Sequence, residues 1–134
     1  MLVHVIRRVA KLGIADRFHF TGFLRGDEVQ KMFGMSDVYV MPSVSEPFGI
    51  SPLEAMKSNV PVIISKQSGV AEVLDYAIKV DYWDVDAMAD AIYGLLKYPS
   101  LAAMSAEKGK SEVINLKWDN AAGEVLDVYR SLVG

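Results

Sequence analysis

Asp37–Glu54, DVYVMPSVSEPFGISPLE, decides how the rest of the chain is read. Val38, Tyr39 and Val40 are β-branched or aromatic, the composition of a strand buried between layers. Pro42, Ser43, Val44 and Ser45 close that run as a loop, and two carboxylates, Glu46 and Glu54, stand eight positions apart around Gly49. Ser51, Pro52 and Glu54 have the S-x-x-E spacing of a capping box, with proline at the first helical position. A strand leaving through a loop into a helix N-terminus is where open α/β sheets place ligands, because loop amides and the helix dipole favour an anion there. Glu54 has a local explanation in the cap. Glu46, which precedes Pro47 and is biased towards extended backbone, has none.

Outward from this stretch, strands and helices alternate. Lys57-Ser58-Asn59 ends the motif helix, with asparagine as a left-handed cap, and Val62-Ile63-Ile64 reads as a buried strand. A polar loop of Gln67, Ser68 and Gly69 leads to a short helix over Val70–Leu74, with Glu72 in its first turn, and Ala77–Val80 reads as another strand. Asp84 caps a helix striped by Met88, Ala91, Ile92, Leu95 and Leu96, and Pro99 restarts a less regular helical stretch to about Leu116. Trp118 anchors a last helix, capped by Asp119. Tyr82 and Trp83 read as packing beneath the following helix in preference to an exposed aromatic patch.

Upstream, Leu2, Val5, Ile6, Val9 and Leu12 form one helix face, closed by Gly13. Arg17–Gly22, RFHFTG, alternates with Phe18 and Phe20 on one side and reads as a first strand, and Gly26-Asp27 opens a short helix carrying Val29, Met32 and Phe33. The expectation is an α/β domain spanning residues 1–134, with a Rossmann-like parallel sheet of about four strands and helices on both faces.

Composition prunes the functions. The chain has 134 residues, no cysteine, a net charge of −3 and no basic run, so a disulfide scaffold, thiolate metal sites and a nucleic-acid footprint lose support. Its longest apolar runs are far too short for a membrane span. There is no G-x-G-x-x-G, no G-x-x-x-x-G-K-[ST], no G-x-S-x-G and no H-E-x-x-H. His4 and His19 lie far apart in the sequence and read as surface or packing residues, not metal ligands.

Glu46-Pro47-Phe48-Gly49-Ile50-Ser51-Pro52-Leu53-Glu54-Ala55-Met56, followed by Val60-Pro61-Val62-Ile63 and by Gly69 and Glu72, resembles the E-x7-E signature of the retaining GT-B glycosyltransferases of group 1. Arg17–Phe23, Ser36–Ser43, Trp118 and Tyr129 extend the resemblance over nearly the whole chain. It implies the C-terminal, donor-binding domain of a two-domain hexosyltransferase that moves a sugar from a nucleoside-diphosphate sugar to an acceptor hydroxyl with retention, without a metal or cofactor. Carried over position by position, Glu54 holds the ribose hydroxyls and Glu46 lies against the donor sugar as the catalytic carboxylate. The backbone around Phe48, Gly49, Ile50 and Ser51 faces sugar and diphosphate, and the loop of Gly22, Phe23 and Arg25 approaches the nucleobase.

The sequence departs from that pattern in three places. Asn59 and Ser68 stand where the family usually has glycine. The family domain also begins with a strand, a helix and a strand ahead of the helix that opens this chain, about 30 residues. Those two strands lie between Arg17–Gly22 and Val38–Met41 in the sheet order 3-2-1-4-5-6. The expectation is therefore an incomplete domain, inactive alone, whose partners are a nucleotide sugar and the N-terminal domain of a parent enzyme. Its unpaired strand edges are expected to drive self-association or to rearrange the first strand. A cytoplasmic location follows from the resemblance, with peripheral membrane attachment of the parent left open. The competing readings are a non-catalytic nucleotide-sugar-binding or interaction module and a sugar-nucleotide epimerase of the same architecture.

Overall fold

A computed structural model describes residues 2–22, 24, 26–42 and 51–116. Three parallel strands, β1 (Tyr39–Met41), β2 (Val62–Ser65) and β3 (Ile78–Val80), pair in the order β1-β2-β3. Helices α1 (Leu2–Leu12), α2 (Asp27–Met35), α3 (Ser51–Lys57), α4 (Val85–Lys97) and α5 (Pro99–Ile114) surround them, with 3₁₀ turns at Ala15–Arg17 and Gly69–Glu72. The register sets Tyr39 beside Val62 and Ile63 beside Ile78, so every carboxyl end lies at one sheet edge.

β2 is buried at all four positions, as a central parallel strand must be. Its pleat divides the core. Val62 and Ile64 join Phe33, Leu53, Met56, Val70, Leu74 and Val113 in one layer, whereas Ile63 joins Val80 and Leu95 in the other. Helices thus cover both faces. Each fully buried isoleucine here contributes about 2–5 kcal/mol relative to alanine.

Loop and cap chemistry holds the helices in place. The Asp84 carboxylate accepts from the Ala87 amide at 3.0 Å, the N-cap read from the sequence. α3 ends as expected at Asn59, whose φ of 65° is left-handed. The Asn59 amide donates to the Met56 carbonyl at 3.0 Å and the Val60 amide to that of Ala55 at 3.1 Å, the paired bonds of a Schellman motif. Gly13, at φ +70°, closes α1 in the same way, with Ile14 donating to Val9 at 3.2 Å. α5 crosses α3 closely because Gly109 presents no side chain there: a Cβ would stand 2.9 Å from Met56 Cε.

Three expectations are corrected. Arg17–Gly22 forms no strand: Arg17 ends a 3₁₀ turn, and Phe18 and Phe20 each stand 47% exposed with their rings 6.1 Å apart. Alternation supplies a half-apolar ribbon, but a strand also needs a ladder, and among the described residues no strand pairs with this segment. The sheet therefore has three strands among the described residues. Leu96, read as part of the α4 stripe, is 56% exposed, whereas Leu95 beside it is 2% exposed. The helical stretch read after Pro99 is present as one continuous helix, Pro99–Ile114. The helix capped by Asp119 lies outside the described residues, as does Trp118.

Candidate functional site

β1 delivers the chain to the carboxyl edge of the sheet at Met41, and α3 takes it up again at Ser51. Between them lies most of the stretch singled out from the sequence: Glu46, Phe48, Gly49 and Ile50 fall outside the described residues, as do Phe23 and Arg25 of the upstream loop. Ser51, Glu54 and Gly22 are described.

Pro52, Leu53, Ala55 and Met56 anchor α3 in the core, which leaves Glu54 at the boundary, half-buried in the first turn. The capping box does not form. α3 begins at Ser51 itself, so this serine is a helical residue, and no hydrogen bond joins its hydroxyl to the Glu54 amide. Among the described residues nothing donates to the Glu54 carboxylate; only its backbone carbonyl is engaged, by the Ser58 amide at 3.1 Å and the Ser58 hydroxyl at 3.0 Å. A carboxylate in the first turn is favoured by the dipole and retains its acceptor capacity for hydroxyl donors. Gly22 is exposed at φ +69°, its carbonyl accepting from the Thr21 hydroxyl at 3.2 Å, and it shares no hydrogen bond with α3 among the described residues.

The loops after β2 and β3 complete the described part of this edge. Ser68, 2% exposed, donates its hydroxyl to the Ser65 carbonyl at 2.8 Å and so fixes the turn where the family usually has glycine. Gln67 spans the two loops. Its Nε2 donates to Asp81 Oδ1 at 2.9 Å, and its Oε1 accepts from the Tyr82 amide at 3.0 Å. Lys66 Nζ stands 3.7 Å from Asp81 Oδ2. The sequence carried no signal for this brace, because a lone glutamine in a loop has no periodic partner. Tyr82 and Trp83 are exposed, so the patch reading holds and the packing reading does not.

Two open hollows, each of about 520 Å³, lie away from α3: one against α1, lined by Val5, Val9, Leu12 and Phe18, the other between α5 and Val73–Tyr76. Among the described residues, no group of three His, Cys, Asp or Glu is placed to hold a metal ion, and no helix is long and apolar enough to cross a membrane.

Comparison with known proteins gives this edge its context. Residues 3–112 match the family described as glycosyl transferases group 1. The chain is 33% identical over 125 residues to an uncharacterized glycosyltransferase of Methanocaldococcus jannaschii, covering 90% of this chain and 32% of that protein. Among solved structures it resembles sucrose-phosphate synthase from Thermosynechococcus elongatus, with a TM-score of 0.79, 28% identity, and coverage of 96% and 33% of the two chains. It also shares the fold of Anabaena HepE, solved in complex with UDP and glucose, with a TM-score of 0.78 at 20% identity over 84% of this chain and 31% of that one. The chain thus spans about a third of the length of these proteins.

Proposed function

The chain belongs to the group 1 glycosyl transferases, and on that footing we propose that it supplies the donor-binding part of an enzyme transferring a hexose from a nucleoside-diphosphate sugar. The observation that carries this reading is Glu54: a half-buried carboxylate in the first turn of α3, beyond the carboxyl end of β1, with no donor among the described residues. Two ribose hydroxyls are the complement of such a group, since a carboxylate accepts from both at once. HepE, of the same fold, holds UDP and glucose, which supports a nucleotide sugar as the ligand.

In this reading Glu46 lies against the donor sugar. The amides of Phe48, Gly49, Ile50 and Ser51 receive the diphosphate at the helix N-terminus, and the Gly22, Phe23 and Arg25 loop borders the base. The acceptor oxygen bonds to the anomeric carbon as the bond from that carbon to the diphosphate oxygen breaks. The acceptor proton passes to the leaving diphosphate, whose growing charge needs electrostatic stabilisation, and the configuration is retained. The reacting hydroxyl of the acceptor is held by the rest of a parent enzyme, so the isolated chain binds without turning over.

Calorimetric titration with UDP, GDP and ADP tests this reading. One of them binds, and Glu54→Gln weakens that binding by about tenfold, the scale of a lost charge-assisted hydrogen bond, with folding unchanged. Absence of binding to the chain, and to a version extended at its N-terminus to a whole domain, overturns it.

A further inference from the structure

We propose that Tyr82 and Trp83 form a carbohydrate platform, separate from the donor loop, that stacks against one hexopyranose ring of the acceptor glycan. The inference rests on the chain's serving a glycosyltransferase and adds a second sugar subsite to that reading. The pair follows β3 at its carboxyl end, on the edge where β1 ends at Met41, and β3 lies two strands from β1, about 10 Å at the usual strand spacing.

Three observations point to a ligand. The first is exposure: Trp83 is 62% and Tyr82 39% exposed, with the rings edge-to-face at 5.0 Å, so a large aromatic surface stands in water without a layer above it. The second is rigidity. Gln67 holds both Asp81 and the Tyr82 amide, the Asp84 amide donates to the Asp81 carbonyl at 3.0 Å, and Asp84 caps α4. A partner docking there meets rings whose backbone is already fixed, and so pays little of the ordering cost that makes weak binding weak.

The third observation is charge, and it selects the occupant. Asp81, Asp84 and Asp86 lie within three residues of Trp83 in the chain, with Lys66 paired to Asp81 at 3.7 Å, and three carboxylates so close in sequence disfavour a phosphate or another anion. A neutral pyranose fits. Its C–H face meets the electron-rich aromatic face, and its hydroxyls donate to the neighbouring carboxylates or accept from Lys66.

Trp83 and Trp118 are the two tryptophans, so a ¹⁵N spectrum gives two indole signals, and Trp83→Tyr identifies that of Trp83 by its disappearance. In titrations with the methyl α-glycosides of glucose, mannose and galactose, at least one shifts the Trp83 signal with a millimolar Kd. Trp83→Ala then weakens binding of that glycoside about tenfold, and Trp83→Tyr, which keeps a ring, about threefold, the range expected when one aromatic contact is lost or reduced. Gln67→Ala weakens it as well by loosening the loop, and nucleoside-diphosphate binding stays at the level of the unaltered chain in all three. A Trp83 signal unmoved by every glycoside overturns the platform while nucleotide binding stands. Glycoside binding that survives both Trp83→Ala and Gln67→Ala overturns it too. If Trp83→Ala does not fold, Trp83→Tyr and Gln67→Ala decide the matter. Loss of nucleotide binding by the unaltered chain, with the glycoside shift intact, counts against the donor reading and not against the platform.

Discussion

Tyr76 and Glu112, 36 residues apart, are joined by a hydrogen bond from the Tyr76 amide to Glu112 Oε1 at 3.1 Å. The other oxygen of the same carboxylate accepts from the Asp75 amide at 2.7 Å, so one side chain of α5 fastens the turn that feeds β3. Glu112→Ala leaves two amides to water and is expected to cost about 1–2 kcal/mol, reduced from the value of buried charge-assisted bonds because the site is exposed. Glu112→Gln, with one acceptor oxygen left, should lie between. Urea unfolding monitored by circular dichroism measures both, and an unchanged midpoint for Glu112→Ala refutes the fastening role.

Asn59 holds a left-handed backbone that most side chains resist. Asn59→Gly is expected to be neutral or stabilising by a few tenths of a kcal/mol, and Asn59→Ala to cost about 1 kcal/mol, because alanine gains nothing at positive φ. Thermal denaturation that ranks alanine at or above glycine contradicts the capping geometry.

Gly109 lets α5 pass over Met56. For Gly109→Ala two effects oppose each other: about 1 kcal/mol of helix propensity is gained, and the far end of Met56 must shift. The sum is expected near zero. Gly109→Leu cannot be absorbed by one methionine and is expected to cost about 2–3 kcal/mol through overpacking. Chemical denaturation of the two variants separates a close crossing from a loose one.

β1 pairs on one side with β2, and no other strand flanks it among the described residues. The Tyr39 amide donates towards β2, to Pro61, so by alternation the polar groups of Val40 face the open edge. Self-association through that edge is expected, and Val40→Pro removes its donor without breaking the β2 ladder. Sedimentation equilibrium should show a dimer that Val40→Pro shifts to monomer. A chain already monomeric at about 100 µM, well within the range of weak specific contacts, removes this expectation.

What the sequence disclosed followed from how each signal arises. Val62–Ile64, the Asp84 cap and the Asn59 terminator are dictated by neighbours within a few positions, and they appear where local reasoning puts them. Arg17–Gly22 was misleading because period-two alternation reports a half-apolar ribbon and says nothing of whether an edge is available to pair with it. At the site, the spacing of Ser51 and Glu54 suggested a cap, but the helix starts one residue earlier than that reading requires, which releases Glu54 for other partners. Gln67 was illegible for the opposite reason: its partner Asp81 is 14 residues away and meets it only once β2 and β3 are side by side.

The pleat of β2 has a final consequence. Because Ile63 faces one layer and its neighbours Val62 and Ile64 the other, neither half of the molecule can melt while the other stays dry. Amide deuteration along Val62–Ser65 should therefore be the slowest in the chain and proceed only through global opening, whichever layer a destabilising change strikes.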